Sequence, residues 1–259
     1  MLCSIVPLRI LGVIPARFAS TRFPGKSLVK IAGKTMLQHV YERASLSRYL
    51  THVTVATDDD RIYDEAKRIG APVRMTRSDH PSGTDRAAEV ASADGAQLIV
   101  NIQGDEPLID PGAIDAAVLT LLDHPDVPMG TLKKKITDRA DINNPNVVKV
   151  VTALDGSAIY FSRHPIPYTR DDSTTDPAVS TTRYKHIGLY VYRRDFLLGY
   201  SSLSRGPLEE AERLEQLRAL ENGFPIRVVE TDYESMGVDT PEDFERVSKL
   251  FEVSLPSNG

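Results

Sequence analysis

The chain has little cysteine: Cys3 is the only one in 259 residues. An intrachain disulfide is therefore impossible, and no cysteine cluster can hold zinc. No apolar run reaches the length of a membrane span. There is no basic excess either, since 31 Lys and Arg face 36 Asp and Glu for a net charge of −5. That balance argues against nonspecific nucleic-acid binding, but a local cationic loop can still hold a small anion. Internal repeats and low-complexity linkers are absent. With 41% apolar and 26% charged residues, this reads as an ordinary globular chain. Its length suits one large domain or two close lobes. The stretch Met1 to Ile14 is apolar, but Arg9 interrupts it and no basic segment precedes it. It is read as a short extension and a first strand rather than a signal peptide, which predicts a cytoplasmic protein without membrane insertion.

What is present is concentrated between Ile10 and Leu28. I-L-G-V-I has the length and composition of a buried strand. Pro15 is expected to stop its ladder, and Ser20, Thr21, Pro24 and Gly25 supply turn chemistry. The loop carries Arg17, Arg22 and Lys26 with no acid between them. Cations at the carboxyl end of a buried strand lie where open α/β sheets bind ligands, and polyphosphate is the matching ligand. Three cations alone would leave a solvated turn as the leading reading. Gly25-Lys26-Ser27 matches the end of a Walker loop, but that motif needs a Gly where Ser20 stands.

Further along, Thr35 is a candidate cap for a helix through Ala44, and His52 to Ala56 reads as a strand. Of Asp58, Asp59 and Asp60, one is expected to cap the next helix and the others to favour its dipole. A short strand, Ala71 to Met75, leads into the polar loop Thr76 to Arg86, and a helix is expected over Ala87 to Ala93. His80 beside Asp79 has no evident nucleophile nearby and reads as structural. The strand Gln97 to Ile102 ends in Gln103-Gly104-Asp105-Glu106-Pro107. A carboxylate there, after a Gly that permits close approach, suits metal-bridged phosphate binding, with a turn role for Asp105 as the alternative. This βα alternation runs to about Leu122 and predicts a mostly parallel sheet.

The second half reads differently. Lys133-Lys134-Lys135 is expected on an exposed strand face. Strands are expected at Val147 to Ala153, Ala158 to Arg163 and His186 to Tyr192, and the polar stretch Tyr168 to Thr182 is read as a mobile excursion. Pro207 to Gly223 has the periodicity of one continuous helix. Ile226 to Glu230 is a last strand. Thr240-Pro241 opens a final helix, which leaves Asp239 free to point inward.

I-P-A-R-x-x-S-T-R-x-P-G-K-x-L, T-R-x-D-H-x-S-G, Q-G-D-E-P, the Asn144-Pro145-Asn146 segment, Ile159 to Pro167, His186-Ile187-Gly188-x-Tyr190 and L-E-Q-L-R together resemble the CMP-Kdo synthetases, the 3-deoxy-manno-octulosonate cytidylyltransferases. The resemblance runs from Ile10 to about Val247. It departs at Ser27, where the family often has Pro, and at Asp85, where it often has Glu. It implies a Rossmann-like α/β nucleotidyltransferase (GT-A-like) with a smaller mixed α/β lobe. The nucleotide-binding part would be about 8–125 plus 225–253, and the sugar-binding and dimerisation part about 126–224.

The implied reaction takes CTP and Kdo to CMP-Kdo and diphosphate, for lipopolysaccharide biosynthesis, in a homodimer. Catalytic roles are implied for Arg17, Lys26 and Asp105. Nucleotide binding is implied for Arg17, Ser20, Arg22, Lys26, Arg77, Ser82, Gly83 and Gln103. The sugar would meet Gln103, Arg163, His186, Tyr190, Glu215 and Gln216, and Mg²⁺ would meet Asp105 and Asp239. The alternatives are an 8-amino-Kdo or sialic acid cytidylyltransferase, or a noncatalytic nucleotide-sugar sensor on the same scaffold.

Overall fold

The computed structural model describes residues 8–19, 22–170 and 182–254. Ser20 and the expected extension at 1–7 lie outside them, as does most of the expected excursion. In chain order the elements begin with β1 (Ile10–Ala16), the two-residue strands β2 (Lys30–Ile31) and β3 (Lys34–Thr35), α1 (Met36–Ala44), β4 (His52–Thr57) and α2 (Asp60–Arg68). Next come β5 (Val73–Met75), α3 (Gly83–Ser92), β6 (Leu98–Asn101), α4 (Pro111–Leu122), β7 (Met129–Lys135) and α5 (Arg139–Asn143). The chain continues through β8 (Lys149–Thr152), β9 (Ala158–Ser162), β10 (Tyr184–Arg193), α6 (Arg194–Tyr200), α7 (Pro207–Glu212), α8 (Leu217–Glu221), β11 (Ile226–Glu230) and α9 (Pro241–Ser254).

Two compact units emerge, one of Met1–Asp115, Tyr192–Leu198 and Ser235–Gly259, the other of Ala116–Val191 and Gly199–Glu234. In the first, β6, β1, β4 and β5 lie side by side, all parallel. The expected apolar run is its centre: Leu11, Val13 and Ile14 are fully buried, as are Val55 and Val100 on the flanking strands. Pro15 does not end β1, because the strand stays paired with β4 through Ala16↔Thr57. Its missing N–H faces β6, whose ladder ends at Val13↔Asn101, so no sheet bond is forfeited. In α1 the Thr35 side chain caps as expected, accepting from the Gln38 N–H. Asp59 caps α2 by accepting from the Arg61 N–H. Asp58, expected to favour the α2 dipole, instead pairs with the buried Arg86 at 3.0 Å.

The other unit carries β11 parallel to β7, and an antiparallel run of β10, β8 and β9. By its pairing β11 groups here, so the expected 225–253 segment is divided after Glu234. The lysine run is not a bare face. Lys133 donates to Thr152 and sits over the Tyr184 ring, and Lys134 pairs with Glu234.

The single helix expected over Pro207 to Gly223 is two short ones. Arg213 adopts the left-handed conformation (φ 54°), and α8 begins only at Leu217. Hydrogen bonds from the end of β9 account for the break. The Ser162 hydroxyl and Arg163 N–H bond the Glu212 carboxylate, while the Arg163 guanidinium takes the Glu212 and Arg213 carbonyls that a helix would otherwise use. A bidentate Arg218–Glu209 pair, buried on both sides, then ties α8 back to α7.

Candidate active site

The cationic loop is closed by Gly25, whose N–H donates to the Phe18 carbonyl at 2.9 Å. Gly25 has φ +71°, and a Cβ there would lie 2.9 Å from the Phe18 ring, so a side chain is excluded twice. That turn delivers Lys26. Its ammonium donates to Asp105 Oδ2 at 2.6 Å, to Asp239 Oδ1 at 2.8 Å and to the Val238 carbonyl at 3.1 Å. Arg22 adds a bond to Asp239 Oδ2 at 2.8 Å. The two candidate metal acids, distant in the chain, therefore meet on one ammonium.

Backbone bonds fix this convergence. The Val238 N–H donates to the Asp105 carbonyl at 2.9 Å. Asp243 accepts from the N–H groups of Asp239 and Thr240, and Thr240 Oγ1 accepts from the Asp243 N–H. The reciprocal cap secures the start of α9 and spares the Asp239 side chain. Gly104 supplies the close approach: a Cβ there would sit 2.7 Å from the Pro15 carbonyl oxygen at the end of β1.

Burial works against the Lys26 charge, yet Asp105 and Asp239 more than offset it, and the ammonium pKa is raised. Burial pushes Asp239 up, but Lys26 and Arg22 together hold it below the ordinary carboxylate value. Lys26 and Asp239 are therefore both ionised near neutrality.

Arg17 lies apart from this cluster, donating to the His80 carbonyl at 2.5 Å. Burial and then the neighbouring Arg86 charge lower its pKa. Arg77 is exposed and forks onto Asp79 at 2.9 and 3.2 Å. Ser82 caps α3, its hydroxyl donating to Asp85 and accepting from the Asp85 N–H, and Gly83 is the first helical residue. The helix thus starts earlier than expected, on the loop residues themselves. Gln103 follows β6, one position before Gly104.

The sugar candidates other than Gln103 fall in the second unit. His186 and Tyr190 share one face of β10, with ring centroids 5.3 Å apart. The His186 ring also lies edge-on to Phe161 and bonds Thr131 Oγ1 at 3.0 Å. Desolvation pushes the imidazole down to about 3, so it is neutral at working pH. Tyr190 is driven well above its ordinary value by burial, then by the Tyr200 and Glu215 charges. The break between α7 and α8 holds Glu215, whose carbonyl takes the Tyr200 hydroxyl at 2.7 Å, and Gln216. Gln216 is 4% exposed, and its amide nitrogen has no hydrogen-bond partner among the described residues. A buried donor of this kind is costly unless a ligand completes it.

Arg163 is more committed than expected. It donates to the carbonyls of Glu212 (2.7 Å), Pro145 (3.0 Å) and Arg213 (3.4 Å). Among the described residues, two of its five guanidinium N–H groups are left for a ligand.

Sequence reasoning missed Arg86, Glu89 and Glu212. Glu212 lies in L-E-E-A-E, where nothing separates it from a solvated helical face. Among the described residues no three His, Cys, Asp or Glu side chains gather as a self-sufficient metal site, and no helix is long and apolar enough to cross a membrane.

The cytidylyltransferase family pattern matches residues 11–233. A 3-deoxy-manno-octulosonate cytidylyltransferase of Solibacter usitatus is 69% identical over 96% of this chain and 97% of its own. One of the same name from Geobacter sulfurreducens is 58% identical over 93% and 98%. A solved CMP:2-keto-3-deoxy-manno-octonic acid synthetase complexed with CTP superposes with a TM-score of 0.90 at 43% identity, covering 95% of this chain and all of that one. A 4-diphosphocytidyl-2C-methyl-D-erythritol synthase from Anaerococcus prevotii shares the fold at 13% identity, with a TM-score of 0.62.

Proposed function

The chain belongs to the 3-deoxy-manno-octulosonate cytidylyltransferase family, and from that premise we propose how its residues carry the reaction. It transfers CMP from CTP to Kdo, giving CMP-Kdo and diphosphate. The hydroxyl on C2 of the sugar attacks the α-phosphorus. A new oxygen–phosphorus bond forms, the bridge to the β-phosphate breaks, and the hydroxyl proton passes to solvent. No covalent enzyme intermediate is needed, because positioning and charge stabilisation carry such a transfer.

The observation that carries this reading is the meeting of Lys26, Asp105 and Asp239 at the mouth of the cationic loop. Two carboxylates fit Mg²⁺, which ordinarily takes one or two acids and completes its shell with phosphate oxygens and water. When bound, the ion would polarise the α-phosphate and ease ionisation of the sugar hydroxyl. Lys26, Arg17 and Arg22 address the phosphates. Arg77, Ser82, Gly83 and Gln103 orient the nucleotide, and Ser20 is carried with them by its place in the motif.

His186, Tyr190, Glu215 and Gln216 bind the sugar hydroxyls, Gln103 assists, and Arg163 offers its two remaining N–H bonds to the carboxylate. The neutral imidazole serves as donor and acceptor rather than as a charge. The chain works in the cytoplasm as a homodimer whose contact surface lies in the 126–224 part, an assignment that rests on the family resemblance. Light scattering on the purified chain tests the dimer.

The deciding experiment is diphosphate release with CTP and Mg²⁺, comparing Kdo, 8-amino-Kdo and N-acetylneuraminate. Turnover with Kdo and little with neuraminate is expected. A preference for neuraminate would sink the assignment, and one for the amino sugar would correct its last detail.

A further inference from the structure

Two of the charged side chains of helix α3, Arg86 and Glu89, lie three positions apart and so on one face. Both hold the loop that precedes the helix. Arg86 is fully buried, bonds Thr76 Oγ1 and pairs with Asp58. Thr76 is also fastened to the Thr57 carbonyl by its N–H (2.8 Å) and its hydroxyl (3.0 Å). From the next residue on, Glu89 Oε2 takes over: it accepts the Arg77 N–H at 3.1 Å and contacts the His80 ring nitrogen. The carbonyl of that same His80 accepts the Arg17 guanidinium.

A continuous path thus leads from Glu89, through the His80 ring and backbone, to Arg17. Arg17 has neighbours that would pull it elsewhere, since it feels repulsion from Arg86 and attraction from Asp58 and Asp85. The His80 carbonyl is its one short hydrogen bond among the described side-chain contacts. Where that carbonyl stands decides where the guanidinium stands.

We propose that Glu89 is a positioning residue for Arg17, holding the 77–80 loop so that the His80 carbonyl aims the guanidinium at the nucleotide phosphates. This rests on the reading that Arg17 addresses the phosphates. Misplacing such a group by about an ångström costs on the order of ten- to a hundredfold in rate. Glu89→Ala should therefore lower kcat by roughly tenfold or more while the KM for the sugar holds.

The decisive measurement is a double-mutant cycle with Arg17→Ala, since residues acting through one another do not add. If Glu89 works through Arg17, the pair Arg17→Ala/Glu89→Ala is no slower than Arg17→Ala alone. Full additivity, or wild-type kcat in Glu89→Ala, overturns the proposal. Wild-type activity in Arg17→Ala alone overturns instead the phosphate reading beneath it. Should Glu89→Ala fail to fold by circular dichroism, His80→Ala keeps the carbonyl while removing the ring contact. It must then show the same loss and the same non-additivity, and activity equal to wild type would overturn the proposal.

Discussion

The two candidate clusters are built from opposite materials. In the first unit, Lys26, Arg22, Asp105 and Asp239 are charged, partly open to solvent and mutually neutralising. In the second, His186, Tyr190 and Gln216 are held neutral and desolvated, and the Gln216 amide nitrogen has no partner among the described residues. Much of the charge in that unit is instead tied into structure, as in the buried Arg218–Glu209 pair and the three carbonyl bonds of Arg163, although Arg163 and Glu215 remain charged members of the sugar cluster. On the proposed assignment of the two clusters, the difference follows from the ligands. A triphosphate needs fixed charges where charge develops in the transition state. Sugar hydroxyls are discriminated by neutral buried groups that suffer when a partner is missing.

The sharpest way to break this contrast is to remove charge from the first cluster. Asp105→Asn and Asp239→Asn should each lower Mg²⁺-dependent kcat by up to about a thousandfold, or ~4 kcal/mol, with Lys26→Ala about a hundredfold down. Stopped assays of diphosphate release check this. A variant within a few-fold of wild type would take that residue out of the phosphate site.

Removing charge from the second unit should act on folding instead. Glu209→Ala strands the Arg218 guanidinium and should cost about 3 kcal/mol of stability in urea titrations, with the KM for CTP unchanged. A catalytic defect without lost stability would erase the distinction.

A pH titration of stability probes the same neutrality. His186 titrates near 3 when folded and near 6.5 when unfolded, so the unfolded chain binds more protons between those values. Stability from this group is present above pH 6.5 and is lost as pH falls towards 3. At pH 5 the loss is at most about 2 kcal/mol, and His186→Gln should flatten that part of the profile.

Gln216→Ala is the mildest test. It should raise the KM for Kdo about tenfold while leaving that for CTP nearly unchanged, as expected for one neutral hydrogen bond. Equal shifts in both constants would place Gln216 elsewhere.

Legibility in the sequence followed the same divide. The first unit is made of short βα steps whose signals are local: the I-L-G-V-I strand, the Thr35 cap, Gly104 before Asp105 and the Thr240-Pro241 start all lie where the residues put them. Even there the path of Arg17 was hidden, because a hydrogen bond to the backbone of His80 leaves no mark on residue identity. In the second unit the helical periodicity from Leu208 to Leu220 was real but was overridden. Bonds from β9 to the Glu212 and Arg213 carbonyls come from about 50 positions away, and no local pattern reports them. Leu214 and Leu217 are buried as the periodicity required, whereas Leu208 is exposed.

Gly104 has a bearing on how this protein can be altered. The gap between the strand carrying the cationic loop and the strand carrying Asp105 is set by a side chain that does not exist: any Cβ would reach to 2.7 Å from the Pro15 oxygen. A saturation library at this codon, screened for turnover, should return glycine alone. At Gly199 and Gly237 a Cβ meets nothing within 4 Å and φ is not positive, so the same screen should tolerate alanine there. A position that admits no substitution would then be a residue that offers the substrate no side chain at all.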